Sequence, residues 1–111
     1  MEDIKMEYRT LGPTGLKISA LGFGNWLNSD LPEYEERTAV LLKKAWDLGI
    51  NYIDTAESYS NGLAETMLGK AIKLLDVNRE DMVLSTKIFR GTHGGVNKNG
   101  LSRKKIIEST N

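Results

Sequence analysis

The stretch that decides the fold is residues 49–59, which read Gly-Ile-Asn-Tyr-Ile-Asp-Thr-Ala-Glu-Ser-Tyr. A glycine at its start is typical of the end of a helix. The next residues favour a short strand, which ends abruptly at the polar segment 54–57. Parallel sheets commonly present their functional groups at the carboxyl ends of such strands, so the stretch predicts both an element and a site.

Outward from this stretch, strands and helices alternate along the chain. Residues 82–86 form the next predicted strand, and the apolar, glycine-rich residues 20–24 form an earlier one. The helix before residue 49 is predicted to be capped at Asp30, with Glu33 three residues later. The predicted apolar faces comprise Leu41, Leu42, Ala45 and Trp46 in the first helix and Ala64, Met67, Leu68, Ala71, Ile72 and Leu75 in the second. This order predicts parallel βαβ units.

Two smaller elements lie towards the ends of the chain. Residues 8–19 alternate between polar and apolar side chains around a Gly-Pro-Thr-Gly turn at 12–15, which predicts a β-hairpin. Ser102 can cap a helix that begins near Arg103, after a polar loop from Phe89 to Gly100. That loop is long for a simple connection, which points to function or mobility.

Composition and charge restrict the class of protein. The 111 residues are 40% apolar and 27% charged and include no cysteine, which fits one globular core and excludes a disulfide framework or a thiolate metal site. Fifteen basic residues balance fifteen acidic ones, so we expect no nucleic-acid partner. No apolar run reaches the roughly 18 residues of a membrane span, and the charged start is no signal peptide, so we expect a cytoplasmic protein without membrane insertion.

Charged side chains at two predicted strand ends form the strongest chemical candidate. Asp54 and Lys87 are 33 residues apart, about one βα repeat, so they should emerge side by side on one rim. An ammonium beside Tyr59 would lower the pKa of that phenol from its ordinary value of about 10. Tyr59 could then act as a general acid towards a carbonyl oxygen, with Asp54 orienting Lys87. A purely structural ion pair is the alternative interpretation.

Other segments give weaker signals. Residues 22–24 contain only G-x-G, which fits tight packing better than a Rossmann fingerprint, and residues 91–95 lack the ending of a P-loop. The single histidine, His93, is interpreted as a solvated loop residue rather than a metal ligand. The basic run at 103–105 is interpreted as a solvated helix face, with phosphate binding as the alternative. Trp26 follows a strand end and could line a pocket.

Several motifs together resemble the aldo-keto reductases. They are Leu-Gly-Phe-Gly-Asn-Trp at 21–26, the stretch at 49–59 and Ser-Thr-Lys at 85–87. The similarity spans nearly the whole chain from Met6. Segments 86–91 and 100–107 are similar to the branch that includes the β subunits of voltage-gated potassium channels.

The resemblance implies a fold, a reaction and a set of site residues. The fold would be the N-terminal part of a (β/α)8 TIM barrel with an N-terminal β-hairpin, with about three βα units present. Residues 1–111 would then be a partial domain that stops before the fourth barrel strand. NADPH would reduce an aldehyde or ketone, with Tyr59 as proton donor, Lys87 lowering its pKa, and Asp54 paired with Lys87 near the nicotinamide ribose. The backbone that would border the NADP cofactor lies around Gly24, Asn25 and Trp26.

Departures from the family's pattern and the length of the chain bear on function. Asn25 stands where threonine is common in the channel-subunit branch, and Arg90 stands where an aromatic residue is usual, which affects substrate preference more than fold. The family's fourth catalytic position would lie beyond Asn111, so we expect little or no turnover by this chain alone. Two alternatives are a regulatory module that associates with a channel, and a truncated product that needs a partner. That partner could be a second copy, giving a homo-oligomer, or the missing C-terminal part of the barrel.

Overall fold

A computed structural model of the chain describes residues 5–26 and 32–111, and the helix cap expected at Asp30 lies outside these ranges. The strands are β1 (Tyr8–Thr10), β2 (Lys17–Ser19), β3 (Gly22–Gly24), β4 (Tyr52–Asp54) and β5 (Val83–Ser85). The helices are α1 (Pro32–Asp47), α2 (Leu63–Leu75) and α3 (Arg103–Thr110). From β3 onward, strands and helices alternate as the sequence predicts.

The predicted hairpin is present at the start of the described chain. Strands β1 and β2 pair antiparallel, with Tyr8 opposite Ser19 and Thr10 opposite Lys17. The reversal between them includes a short 3-10 turn over Gly12–Thr14, and Gly15 follows in the left-handed region at φ 76°. The glycine permits this positive φ without a steric penalty, which explains why the Gly-Pro-Thr-Gly turn predicts the hairpin correctly.

The second sheet is parallel, with the strand order β3-β4-β5. Its register places Phe23, Ile53 and Leu84 in one row and Gly24, Asp54 and Ser85 in the next. Phe23 and Ile53 of the first row pack in the core beneath the helices, whereas Leu84 is 37% exposed. Since neighbouring residues of a strand point to opposite faces, the second row faces the other side of the sheet. Two polar side chains, Asp54 and Ser85, therefore lie next to each other at the carboxyl ends of β4 and β5.

The core lies between the sheet and helices α1 and α2. Its buried members are Leu42, Ile53, Leu68, Ala71 and Met82, and its partly buried neighbours include Phe23, Trp46, Ile72 and Leu75. The predicted face of α2 is confirmed. The predicted face of α1 is wrong at Leu41, which is 52% exposed, because its neighbour Leu42 takes the inward direction and successive residues point about 100° apart. Of the helices in the described ranges, none has the length and apolar character that crossing a membrane requires.

The hairpin is attached to the amino end of β4. Asn51 Oδ1 accepts a hydrogen bond from the backbone of Ser19 at 2.7 Å, and Asn51 Nδ2 donates to the carbonyl of Lys17 at 3.1 Å. The Tyr8 hydroxyl also donates to the Gly49 carbonyl at 2.7 Å. Gly49 has φ +90°, and a Cβ there would meet that of Met6 at 2.9 Å, so this position needs glycine. The carboxyl ends of the strands are thereby left free of the hairpin.

Candidate active site

The carboxyl ends of β4 and β5 bring Asp54 and Lys87 into direct contact. Lys87 Nζ donates to Asp54 Oδ2 at 2.7 Å and to the carbonyl of Thr55 at 2.8 Å. The other carboxylate oxygen, Asp54 Oδ1, accepts from the Ser85 hydroxyl at 2.5 Å. The spacing of one βα repeat therefore predicts this juxtaposition correctly.

Tyr59 completes the group from a different segment. Lys87 Nζ lies 3.2 Å from Tyr59 Oη and 5.1 Å from the centroid of its ring. The phenolic oxygen accepts this hydrogen bond, so its own hydrogen remains available to another acceptor. One ammonium thus contacts both the carboxylate of Asp54 and the phenol of Tyr59, and the structure brings together the three residues that the sequence singles out.

The backbone that presents Tyr59 adopts an unusual conformation. Tyr59 begins a 3-10 turn that ends at Gly62, and its amide donates to the Ala56 carbonyl at 3.2 Å. The next two residues, Ser60 and Asn61, both lie in the left-handed region, with φ values of 48° and 52°. Non-glycine residues in this region carry backbone strain, which occurs often at functional sites. Sequence reasoning missed this turn, since serine gives no signal for a left-handed residue.

Electrostatics hold the Asp54–Lys87 pair in its ionised form. Burial by itself raises the pKa of the Asp54 carboxyl, but the hydrogen bonds from Lys87 and Ser85 outweigh it and bring this pKa below its ordinary value of 3.8. The hydrogen bond to Asp54 is the largest influence on Lys87 and raises the pKa of its ammonium above 10.5. Both groups therefore remain charged across the neutral range.

A cavity of about 630 Å³ opens beside Tyr59. Its lining residues are Trp26, Ala56, Ser58, Tyr59, Ser60, Asn61, Lys87, Phe89, Arg90 and Gly91. The ring of Trp26 is 65% exposed, and its centroid lies 6.3 Å from that of Tyr59. The structure therefore supports the interpretation of Trp26 as part of a pocket wall.

Asn25 and Gly24 occupy different positions from Trp26. The Asn25 side chain is 1% exposed, and its Nδ2 donates to the Ala64 carbonyl of α2 at 3.0 Å. Its backbone amide donates to the Asp54 carbonyl at 3.3 Å, while its Oδ1 has no hydrogen-bond partner among the described residues. Gly24 lies beside Asp54 in the sheet. Neither residue lines the cavity, whereas Trp26 does.

A buried ion pair between Glu57 and Lys105 lies next to this group. Lys105 Nζ donates to Glu57 Oε2 at 2.6 Å and to Oε1 at 2.7 Å, and the two side chains are 7% and 13% exposed. The expectation of a solvated face at 103–105 is thus wrong for Lys105, although Arg103 and Lys104 are exposed. Sequence reasoning missed the pair because its members lie 48 positions apart and no local pattern links them.

The loop from Phe89 to Gly100 closes on itself beside the cavity. The Gly100 amide donates to the Phe89 carbonyl at 2.8 Å, and the Gly91 amide donates to Asn99 Oδ1 at 2.9 Å. A Cβ at Gly91 would lie 2.4 Å from the carbonyl oxygen of Lys98, so only glycine fits this approach. The loop is thus an internally bonded wall of the cavity, and His93 is exposed on it.

Comparison with known proteins decides the family. The sequence profile described as "Aldo/keto reductase family" matches residues 20–111. The chain belongs to this family. The resemblance in the motifs at 21–26, 49–59 and 85–87 is therefore confirmed.

Curated relatives come from fungi and plants. A Schizosaccharomyces pombe protein that carries the name of a voltage-gated potassium channel subunit beta is 52% identical over 106 residues, which cover 94% of this chain and 31% of the relative. An Arabidopsis thaliana protein with the same kind of name is 45% identical over 95% of this chain and 32% of its own length. The chain thus spans about a third of the length of these relatives.

Solved structures of aldo-keto reductases share the fold. The thermostable aldo-keto reductase Tm1743, crystallised with the inhibitor epalrestat, is 38% identical with a TM-score of 0.75 and covers 94% of this chain and 36% of its own. The aldo-keto reductase AKR11C1 from Bacillus halodurans, in a holo form, is 32% identical with a TM-score of 0.73 and covers 94% of this chain and 34% of its own. The hairpin and the three parallel strands are therefore the N-terminal part of a TIM barrel.

Proposed function

We propose that this chain supplies the proton-donating part of the active site of an NADPH-dependent aldo-keto reductase, which reduces aldehydes or ketones to alcohols. Family membership supports an oxidoreductase. The observation that carries the finer proposal is the Lys87 ammonium, which lies within hydrogen-bond distance of both Asp54 and Tyr59 at the edge of the cavity.

The proposed proton transfer uses three side chains. As a substrate carbonyl gains a hydride at carbon, its oxygen takes the phenolic hydrogen of Tyr59, and a phenolate remains. The Lys87 ammonium stabilises that phenolate through the contact at 3.2 Å. Asp54 keeps Lys87 charged and directed, because it binds the same ammonium at 2.7 Å.

The residues around the cavity fit the nicotinamide end of NADPH. The exposed ring of Trp26 on the cavity wall offers an aromatic surface. The carboxylate of Asp54, which contacts Lys87 of that wall, is a hydrogen-bond acceptor suited to a ribose hydroxyl. When bound, the cofactor supplies the hydride. Trp26 and Asp54 would hold it, with the backbone of Gly24 and Asn25 alongside.

We further propose that the 111-residue chain alone shows little or no turnover. Its parallel sheet has three strands among the described residues, whereas a closed barrel of this fold has eight. An assay with NADPH and a nitrobenzaldehyde tests this directly. Robust turnover by the purified chain, abolished in Tyr59→Phe, contradicts the expectation of inactivity.

A chimaera tests the catalytic roles. This chain replaces the matching third of Tm1743, and reduction of a nitrobenzaldehyde by NADPH is measured before and after Tyr59→Phe. We expect kcat to fall by about 10²-fold or more, since a positioned general acid contributes about 10²–10⁴-fold. Tyr34→Phe on α1 is the matched control, because the phenyl ring keeps the contact with Arg37 and position 34 lies on another element. An active chimaera in which both variants behave alike contradicts the role of Tyr59.

A second candidate function is regulation of a potassium channel. The names of the relatives at 52% and 45% identity favour it. Affinity purification of a longer protein that contains this sequence, followed by identification of its membrane partners, tests the association. Recovery of a potassium channel supports this function, whereas a soluble oligomer with reductase activity and no channel supports the enzyme alone.

A further inference from the structure

We propose that Lys105 is a positioning residue for the Asp54–Tyr59–Lys87 group and that it acts through Glu57. The inference rests on the proposed function, because it assigns a role within the same site. Its test is nonetheless separate from turnover, since the quantity that Lys105 should control is the contact between Lys87 and Tyr59.

Glu57 lies at the junction of the two segments that carry the site. It follows Asp54 by three residues and precedes Tyr59 by two. Its backbone amide donates to the Lys87 carbonyl at 3.2 Å, and its Oε1 accepts from the Phe89 amide at 3.2 Å. A single residue therefore joins the segment of Tyr59 to the segment of Lys87 through both its backbone and its side chain.

Lys105 fixes the direction of the Glu57 carboxylate. Its ammonium contacts both carboxylate oxygens, and it also contacts the Ser109 hydroxyl one helical turn later on α3. With its own side chain only 13% exposed, a Glu57 carboxylate that lost Lys105 would be a poorly solvated charge. That carboxylate would then turn towards water, release the Phe89 amide and displace the backbone on either side of residue 57.

The same helix offers a matched comparison. Lys104 pairs with Glu108 four residues later, but these side chains are 63% and 57% exposed and neither lines the cavity. Exposed ion pairs of this kind contribute little to the free energy of unfolding. The same substitution made at Lys104 and at Lys105 therefore distinguishes the effect of losing a lysine on α3 from the effect of losing the contact with Glu57.

The experiment uses NMR on the 111-residue chain at neutral pH. The measured quantities are the cross-peak between the Lys87 ε-methylene and the Tyr59 ring, and the exchange rate of the Phe89 amide. We expect Lys105→Met to remove the cross-peak and to accelerate Phe89 exchange by about tenfold or more, the factor for losing a hydrogen bond to a charged group. Lys104→Met should change neither, and Lys105→Arg should restore much of the cross-peak.

Further outcomes either support or overturn the inference. If Lys105→Met does not fold, the double variant Glu57→Gln/Lys105→Met removes both buried charges, and we expect it to fold yet lack the Lys87–Tyr59 cross-peak. A cross-peak of unchanged strength in either folded variant overturns the inference, as does its absence from the unsubstituted chain. If the chimaera is inactive but the cross-peak still depends on Lys105, the result contradicts the proposed carbonyl reduction and supports the positioning role of Lys105.

Discussion

Lys87 makes more of the site's contacts than either of its neighbours, since its ammonium donates to the oxygens of Asp54, Thr55 and Tyr59. An ammonium has three donors and can point each of them at a different acceptor. A planar guanidinium directs its donors in a fixed fork, so arginine would not reproduce this arrangement. The residue type at position 87 is thus set by geometry as well as by charge.

Substitution of Lys87 should affect activity more than folding. In the chimaera with Tm1743 we expect Lys87→Met to lower kcat by about 10²-fold or more, because the phenolate of Tyr59 loses its counter-charge. Steady-state kinetics with NADPH provide the measurement. Lys70→Met removes an exposed ion pair with Glu35 on the outer surface and should leave kcat unchanged. Equal effects of the two substitutions would argue against the role of Lys87.

The carboxylate of Glu57, whose side chain is 13% exposed, should make the free energy of unfolding depend on pH in the acid range. Burial raises the pKa of Glu57, but the hydrogen bonds from Lys105, Ser109 and the Phe89 amide outweigh it, so the pKa lies below its ordinary value of 4.5. A carboxyl whose folded pKa is lowered stabilises the fold above its unfolded pKa. This stabilisation is lost as the pH falls from about 4.5 through the folded value.

Glu57→Gln tests this dependence. At pH 7 we expect the variant to lose about 3–5 kcal/mol of unfolding free energy, because Lys105 is left buried without a counter-charge. The difference from the unsubstituted chain should shrink as the pH falls below 4.5. Urea unfolding at a series of pH values measures it, with Glu35→Gln as the exposed control. A difference in unfolding free energy that stays constant with pH would contradict this role of the Glu57 carboxylate.

At the scale of elements, α3 and the loop before it hold the site together. The Ser102 side chain accepts a hydrogen bond from the Lys105 amide at 3.1 Å, so the predicted cap is confirmed. The cap starts α3 at Arg103, which places the buried Lys105 in the first turn of the helix. The loop itself depends on the close approach of Gly91 to Lys98. The helix cap depends on the serine at position 102, and the close approach depends on the glycine at position 91, so each feature follows from the type of one residue.

Gly91→Ala should disturb the loop without touching the core. A methyl group there would lie 2.4 Å from the Lys98 carbonyl oxygen, so the backbone must shift, at a cost of about 1–3 kcal/mol. Gly94→Ala in the same loop is the control, because a Cβ there meets no atom within 4 Å. Thermal unfolding followed by circular dichroism compares the two. A melting temperature for Gly91→Ala that equals the control value would contradict the close approach.

Over the whole molecule, local patterns predict the order of elements and the pairing of Asp54 with Lys87. The periodicity of α2 and the turn residues of the hairpin are local properties of the sequence. The spacing between the strand ends adds the prediction that Asp54 and Lys87 are in contact. Contacts set by packing between distant segments are not readable in this way. The burial of Lys105 and the inward turn of Asn25 towards Ala64 are of this second kind.

The hairpin and the site lie at opposite ends of the parallel strands, so they should be separable. We expect Asn51→Ala to lower stability by about 1–3 kcal/mol, because the Ser19 amide loses its acceptor and the Lys17 carbonyl loses its donor. The Lys87–Tyr59 cross-peak should keep its strength in the folded fraction. Denaturant unfolding and NMR on the same sample measure both quantities. A weakened cross-peak would show that the two ends are coupled.

The pairing of Glu57 with Lys105 also has a consequence for the order of events during synthesis. The two residues are 48 positions apart, whereas Asp54 and Lys87 are 33 apart. As the chain leaves the ribosome from its N-terminus, Asp54 and Tyr59 emerge first, Lys87 follows, and Lys105 emerges 18 positions after Lys87 (105 − 87). The carboxylate of Glu57 therefore stays hydrated during this interval, and the site reaches its final arrangement only when α3 docks.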